Sequence, residues 1–315
     1  MKIVIPGGSG QVGAVVERAF TAAGHSVVVL SRNPGRLNEV PWDGRALGAW
    51  AGEIDGADVV LNLAGRSVSC RYTPENLRDM MDSRVLSARV VGQAIAQAER
   101  PPRLWLQAST ATIYAHTFGA AHDEDGVIGG AEPGVPDYWG HSVEIAKNWE
   151  REQTEAQTPH TRKVVLRSAM VMSPDRAGIF DYLAWLARLG LGGPVAGGRQ
   201  YVSWIHDRDF VGALNFLITH DELTGPVNLA APGPLPQREF MRVLRRAWGM
   251  PLGLPATRGM AGIGAFVLRS DTELLLKSRR VVPGKLPDAG FDFAHPDWHD
   301  AARDLVRRVR TGRRG

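Results

Sequence analysis

Short apolar runs alternate with longer segments of helical period along the first two thirds of the chain. The runs of strand length are 2–5, 26–30, 57–63, 104–107 and 164–166. The segments of helical period between and after them include 12–23, 73–97 and 207–219. Uninterrupted runs of valine, isoleucine and leucine are typical of parallel strands buried on both faces. The pattern therefore predicts an α/β fold with a Rossmann-type, doubly wound parallel sheet.

The periodic pattern weakens towards the end of the chain. Residues 237–248 and the segment from Trp298 read as amphipathic helices, whereas 256–265 are rich in glycine and alanine and are predicted to be mobile. We predict two domains. A Rossmann-like domain over 1–225 includes parts of the substrate cleft from about residue 170, and a smaller, discontinuous C-terminal domain covers 226–315.

A glycine-rich turn follows the first predicted strand at once. Gly7, Gly10 and Gly13 are spaced by three residues, and a helix begins beside them. Such a turn lets a pyrophosphate approach the backbone, and the helix N-terminus offers free N–H groups and a partial positive charge. The predicted dinucleotide contacts in this turn are Gly7, Ser9, Gly10, Gln11, Val12 and Gly13. The spacing resembles the short-chain dehydrogenase/reductase superfamily, especially its extended, epimerase-like branch.

The second strand ends at Ser31 and Arg32, where an NAD-binding fold places an acidic residue for the ribose hydroxyls. Neither residue is acidic, and Arg32 instead offers a fixed cation and a fork of donors suited to a 2′-phosphate. We therefore expect NADP(H) as the cofactor, in preference to NAD(H), with Ser31 and Arg32 among its contacts. The alternative is that Arg32 is an ordinary exposed loop arginine.

Small residues at the ends of the next two strands also indicate a ligand edge. Leu63, Ala64 and Gly65 resemble the Asn-x-Ala-Gly element of the superfamily, which borders the adenine and ribose. The segment from Ala108 to Tyr114 resembles the family's Ser-Ser/Thr-x-x-x-Tyr segment. This resemblance implies that Ala108 contacts the cofactor and that Thr110 holds the reacting substrate oxygen. Alternatively, the Thr110 hydroxyl bonds local backbone.

The superfamily's Tyr-x-x-x-Lys is missing from the following helix. Lys147 resembles the family lysine, which holds the nicotinamide ribose, but the residue four positions earlier is Val143. Valine cannot move a proton, so another group supplies the acid or base, or hydride chemistry is absent. The candidates for this group are Tyr138, His141, Tyr114 and His206. Ser83 and Arg84, on the preceding helix, are predicted to lie on a solvated face; the alternative is that they reach the site.

Later segments point to one branch of the superfamily. Lys-x-Trp-Glu without the tyrosine, Arg167 at a strand end, Leu189–Pro194, and Trp-Ile-His at His206 resemble the uncharacterised, nucleoside-diphosphate-sugar epimerase-like "epimerase family". The resemblance implies an NADP(H)-dependent oxidoreductase or epimerase for a small hydroxyl or carbonyl substrate, or a catalytically silent NADP(H)-binding sensor or scaffold. Arg167 is predicted to hold a cofactor or substrate anion, or to form a structural salt bridge. The family's small C-terminal domain has no assigned biochemical role.

Composition excludes several classes of protein. The 315 residues are 44% hydrophobic with a formal net charge of +4, and they show no basic face interleaved with aromatic residues, so we expect no nucleic-acid partner. No apolar run approaches the ~20 residues of a membrane helix. The single cysteine and the histidine spacing predict neither disulfides nor a metal site. The N-terminal strand is predicted to leave no room for a secretory signal, so we expect a cytoplasmic protein. For the oligomeric state, we expect either a monomer or a homodimer.

Overall fold

A computed structural model describes residues 1–130, 132–133, 135–257 and 273–312. Most of the segment predicted to be mobile, 256–265, lies outside these residues. Among the described helices, none has both the length and the apolar character that crossing a bilayer requires.

A parallel sheet of seven strands forms the centre of the described structure, in the order β10-β6-β5-β4-β1-β2-β3. Its strands are β1 (Lys2–Pro6), β2 (Ser26–Ser31), β3 (Glu39–Pro41), β4 (Val59–Asn62), β5 (Leu104–Thr110), β6 (Arg162–Ser168) and β10 (Gly225–Leu229). Four short strands lie outside it: β7 (Met170–Met172), β8 (Tyr201–Val202), β9 (Trp204–His206) and β11 (Leu235–Pro236). The Rossmann-type prediction is confirmed.

The helices of the described residues are α1 (Gln11–Ala22), α2 (Pro74–Gln97), α3 (Gly140–Glu155), α4 (Ile179–Arg188), α5 (Asp207–Thr219), α6 (Gln237–Trp248), α7 (Glu273–Leu276), α8 (Lys285–Asp288) and α9 (Trp298–Gly312). Helices α1, α2, α3 and α5 cover the two faces of the sheet, whereas α4, α6 and α9 pack in a separate apolar cluster. Alternating β1 residues point to opposite faces: Ile3 and Ile5 pack with α1 and α5, whereas Val4 packs with α2 and α3. The sheet is therefore buried on both sides, as its apolar runs predict.

A second apolar core makes up the smaller unit. It joins Met172 and Phe180 to Trp204, and these to Phe240 and Trp298 from much later in the chain. This arrangement confirms a smaller, discontinuous C-terminal part. The boundary predicted at 225 needs a correction, because β10 pairs with β6 from Gly225 to Leu229 and completes the large sheet.

Candidate functional site

The glycine turn has the tight geometry that its spacing predicts. Gly7 has φ +74°, and a Cβ there would lie 2.5 Å from the Cα of Ala64. A Cβ on Gly13 would lie 2.2 Å from the carbonyl oxygen of Gly8. At Gly10 the nearest atom to a Cβ would be 3.9 Å away, so this face of the turn is open. Backbone crowding explains two of the glycines, and space for a ligand remains at the third.

The N-terminus of α1 lies at this opening. Gly10 is its N-cap, without a side-chain capping bond, and the first turn of the helix contains no acidic residue. Ser9 is exposed, and Val12 packs against the core. The buried Nε2 of Gln11 has no hydrogen-bond partner among the described residues. Free backbone donors, an orphaned amide donor and a helix dipole together suit an anion such as a pyrophosphate.

Arg32 lies just beyond β2, and its side chain is exposed. In the described structure it forms no ion pair, whereas nearby Arg36 is paired with Glu17 and Glu39. The side chain of Ser31 is buried, and its Oγ accepts a bond from the N–H of Asn33 at 3.3 Å. Arg32 is therefore available to a bound anion, whereas its neighbour is already neutralised.

Polar side chains fix the ends of β4 and β5. Asn62 Oδ1 accepts from the N–H of Ala64 at 3.0 Å, and Asn62 Nδ2 donates to Gln107 Oε1 at 3.0 Å. Gln107 Nε2 in turn donates to the carbonyl of Ala108 at 3.2 Å. The backbone of Leu63 bonds to that of Pro6, beside the glycine turn. These bonds bring the predicted cofactor contacts on β1, β4 and β5 to one edge of the sheet.

Arg84 lies at this edge, although the sequence predicts a solvated helix face for it. Its Cζ would lie 3.1 Å from a Cβ on Gly65, and it sits 5.1 Å from the ring centre of Trp149. The guanidinium donates to the carbonyls of Met80 and Arg66, and burial lowers the pKa of Arg84 to about 10. The prediction of a solvated face is wrong. The buried stripe of α2 includes Met80 and Ala88, and Arg84 lies between them.

Thr110 ends β5 and is half-buried. Its Oγ1 accepts a hydrogen bond from the N–H of Thr112 at 3.1 Å. This is the local backbone bond that the alternative interpretation predicts. Because the bond uses only a lone pair, the hydroxyl hydrogen of Thr110 can still be donated to a ligand.

Arg167 forms a structural ion pair. Its Nε and Nη2 donate to the two carboxylate oxygens of Glu150 at 3.0 and 2.9 Å, and its Nη1 donates to the Tyr114 hydroxyl at 3.0 Å. The Tyr114 hydroxyl donates to Asn228 Oδ1 at 2.8 Å, and burial raises the pKa of Tyr114. The geometry matches the salt-bridge alternative for Arg167 and places Tyr114 in the core rather than at a cleft.

The first turns of α3 do not reproduce the family's tyrosine and lysine arrangement. Val143 is 1% exposed and packs in the core. Lys147 is exposed and lines a surface cleft of about 440 Å³ with Arg151, and its Nζ would lie 3.9 Å from a Cβ on Gly130. Tyr138 is 37% exposed, just before α3. The exposed His141 stands at the start of the helix. The roles of Lys147 and Tyr138 stay predictions.

His206 is completely buried at the start of α5. Its Nδ1 accepts from the N–H of Arg208 at 3.2 Å, which caps the helix. Burial lowers the pKa of His206 to about 4. The centroids of the His206 and His295 rings lie 3.8 Å apart with their planes tilted by 31°, and His206 Nε2 lies 3.3 Å from Asp304 Oδ2.

These three side chains bring ligand atoms within 4.8 Å of one another. Arg308 pairs with both Asp207 and Asp304 beside these rings. The two carboxylates are therefore already paired with a cation of the described chain.

A group that the sequence did not predict joins α3 to the C-terminal part. Ser142 Oγ donates to Glu273 Oε2 at 2.6 Å, and Lys277 Nζ lies 3.5 Å from Glu273 Oε1. Lys277 also donates to the carbonyl of Thr112 at 3.0 Å, and Arg279 Nε donates to Thr112 Oγ1 at 2.9 Å. The available sequence signal was a glutamate four residues before a lysine in a segment otherwise interpreted as apolar.

Comparison with known families and proteins agrees with this geometry. The family model described as the NAD dependent epimerase/dehydratase family matches residues 3–230, and a domain of unknown function (DUF1731) matches 265–305. An epimerase family protein of Mycobacterium bovis is 32% identical over 93% of this chain and 93% of its own length. The human epimerase family protein SDR39U1 is 28% identical over 97% of this chain and 100% of its own length.

Solved structures show the same fold. The crystal structure of human SDR39U1 (isoform 2) with NADPH has a TM-score of 0.86 at 26% identity, covering 98% of this chain and 99% of that chain. The Thermus thermophilus UDP-glucose 4-epimerase in complex with NAD has a TM-score of 0.72 at 18% identity, covering 98% and 99%, a likeness of fold alone. The chain belongs to the NAD-dependent epimerase/dehydratase family.

Proposed function

We propose that this protein binds NADP(H) and acts as an oxidoreductase or epimerase on a small hydroxyl or carbonyl substrate. The observation that carries the proposal is the open glycine cradle at Gly10, together with the exposed guanidinium of Arg32 at the adjacent strand end. The similar human protein crystallised with NADPH supports the choice of cofactor.

The residues that would hold the cofactor follow the strand ends. Backbone N–H groups of the glycine turn and the Gln11 amide would hold the pyrophosphate, and Arg32 would hold the 2′-phosphate. The small residues Leu63, Ala64, Gly65 and Ala108 would border it on the other side, with Arg84 supplying a buried positive charge beside Gly65. When bound, the cofactor supplies hydride transfer.

Thr110 is the residue we assign to the substrate oxygen. Its Oγ1 accepts from the N–H of Thr112, and the hydroxyl hydrogen is still available to a substrate oxygen. A donor at this position holds a carbonyl oxygen and stabilises the negative charge that develops on it during hydride addition.

A catalytically silent NADP(H)-binding sensor or scaffold is the second candidate. One observation favours it: Val143 is buried where the family spacing requires a tyrosine, and the lysine four residues later is exposed. In this case the cofactor cradle would be intact, whereas no residue would exchange a proton with a substrate.

Calorimetry on ligand-stripped protein tests the shared part of both candidates. We expect NADPH to bind at least tenfold more tightly than NADH. Absence of binding by any nicotinamide dinucleotide would refute both. A panel of secondary alcohols with NADP⁺, and of the matching ketones with NADPH, then separates them, since only an enzyme gives turnover.

A further inference from the structure

The buried group formed by Ser142, Glu273 and Lys277 is the strongest feature that the proposed function does not use. We propose that Ser142 and Glu273 are the proton-transfer pair of this site, replacing the missing tyrosine, with Lys277 as a positioning residue. The inference rests on the proposed function, because the pair serves a hydride transfer. It also gives the C-terminal segment a biochemical role.

A short hydrogen bond joins the two residues. Ser142 is half-buried on the first turn of α3, and its Oγ donates to Glu273 Oε2 at 2.6 Å. Glu273 has no exposed surface. A hydroxyl that donates to a buried carboxylate can pass its own proton to that carboxylate while its oxygen accepts another.

The pair is connected to Thr110 through two further residues. Lys277 Nζ donates to the carbonyl of Thr112, and the N–H of Thr112 donates to Thr110 Oγ1. Lys277 and Thr112 therefore connect the pair to the hydroxyl assigned to the substrate oxygen. Thr110 ends β5, and open α/β sheets bind ligands outside the carboxyl ends of their strands.

Glu273 and Lys277 form an ion pair that is buried. Lys277 is 2% exposed and Glu273 is fully buried, and burial lowers the pKa of Lys277. A buried ion pair adds little stability over well-packed apolar residues of similar size. Perturbed titratable groups at a ligand edge are candidates for function. Arg279, which donates to Thr112 Oγ1 at 2.9 Å, places a second cation beside Thr112.

When a secondary alcohol is oxidised, the pair takes up one proton and the cofactor takes up one hydride. The hydroxyl proton of a secondary alcohol passes to Ser142 Oγ, and the Ser142 proton passes to Glu273 Oε2. The substrate C–H bond breaks, and its hydride, carrying both electrons, goes to NADP⁺. The products are a ketone, NADPH and a neutral Glu273 carboxylic acid, while Lys277 keeps its charge. Carbonyl reduction is the reverse, and the ligand class is therefore a secondary alcohol or its ketone.

Three full-length variants test the pair: Ser142→Ala, Glu273→Gln and, as a matched control on the exposed end of α3, Glu155→Gln. We expect NADPH affinity to change less than threefold in all three. Turnover should fall at least 100-fold in S142A and E273Q, with unchanged KM, and should stay at the native value in E155Q. If the native protein does not bind NADPH, the proposed function itself is refuted. If it binds NADPH and the S142A and E273Q variants keep native turnover, only the proton-transfer pair is refuted.

A second readout needs neither cofactor nor substrate. In protein labelled with ¹³C at the glutamate carboxyls, comparison with E273Q assigns the Glu273 resonance. We expect S142A to shift the Glu273 carboxyl resonance, because the 2.6 Å hydrogen bond from the Ser142 hydroxyl is lost. The proton-transfer pair would be overturned if the Glu273 resonance were the same in S142A as in the native protein. It would also be overturned if the native protein bound NADPH without turning over any alcohol or ketone.

Discussion

Two regions meet at the carboxyl edge of the sheet, and they differ in how their polar groups are used. The nucleotide edge, from the Gly7–Gly13 turn to Arg32, keeps donors available: the α1 N-terminus, the Gln11 amide and the exposed Arg32 guanidinium, which forms no ion pair with any residue that the structure describes. The substrate edge comprises the ends of β5 and β6, α3 and the 273–279 segment. Its charged groups bond to one another. The comparison indicates that the first region is built for a ligand already, whereas the second is preorganised around its own ion pairs.

The largest expected effect tests whether the substrate edge depends on those ion pairs. Glu150→Gln leaves the Arg167 guanidinium buried without its carboxylate, and we expect a loss of about 3–5 kcal/mol in the free energy of unfolding. Glu152→Gln is the matched control, since Glu152 pairs with the exposed Arg89, and its loss should stay below about 1 kcal/mol. Urea unfolding measures both. Equal losses would show that the Glu150 pair is no more important than a surface pair.

A pH effect of similar size is expected where the smaller unit packs against α5. Burial lowers the pKa of His206 to about 4, below an ordinary value of about 6.5, so the unfolded chain binds its proton first as the pH falls. His206 therefore stabilises the fold above pH 6.5, and this contribution, about 3 kcal/mol, is lost as the pH falls from 6.5 through 4.

His206→Asn checks the pH effect, because asparagine can still cap α5 while it does not titrate. Urea unfolding at several pH values between 7 and 4 should give a shallower decline for the variant than for the native protein. Parallel curves would mean that His206 does not cause the acid sensitivity.

The nucleotide edge could be predicted from sequence because its determinants are local. Gly7, Gly10 and Gly13 lie within one turn, and Arg32 follows one strand directly, so spacing alone gives their geometry. The substrate edge could not be predicted, because Ser142 and Glu273 are 131 residues apart. Its partners depend on how the C-terminal unit docks, which no periodicity encodes. Arg84 was expected on a solvated face because charged side chains are mostly exposed, whereas this guanidinium packs against Trp149.

A smaller effect separates the two edges in a different way. Val143→Tyr recreates the Tyr-x-x-x-Lys spacing with Lys147, but Val143 is buried among Ile113 and Ala146. We expect no gain of turnover and a loss of about 1–3 kcal/mol from overpacking. His141→Tyr, on the exposed start of α3, should change stability by less than about 0.5 kcal/mol. Thermal unfolding and the alcohol panel measure the two outcomes. A rise in turnover in V143Y would show that the helix presents this position to the substrate.

The smallest expected effect sharpens the assignment of the nucleotide edge. Arg32→Ala removes the exposed guanidinium, and NADPH affinity should fall about tenfold, or about 1.4 kcal/mol, because a charge-assisted bond to the 2′-phosphate is lost. NADH lacks that phosphate, so its affinity should not change. Arg36→Ala is the matched control, since that guanidinium is already bound by Glu17 and Glu39. Calorimetry gives both ratios. If R32A weakened both dinucleotides equally, Arg32 would be supporting the loop rather than reading the phosphate.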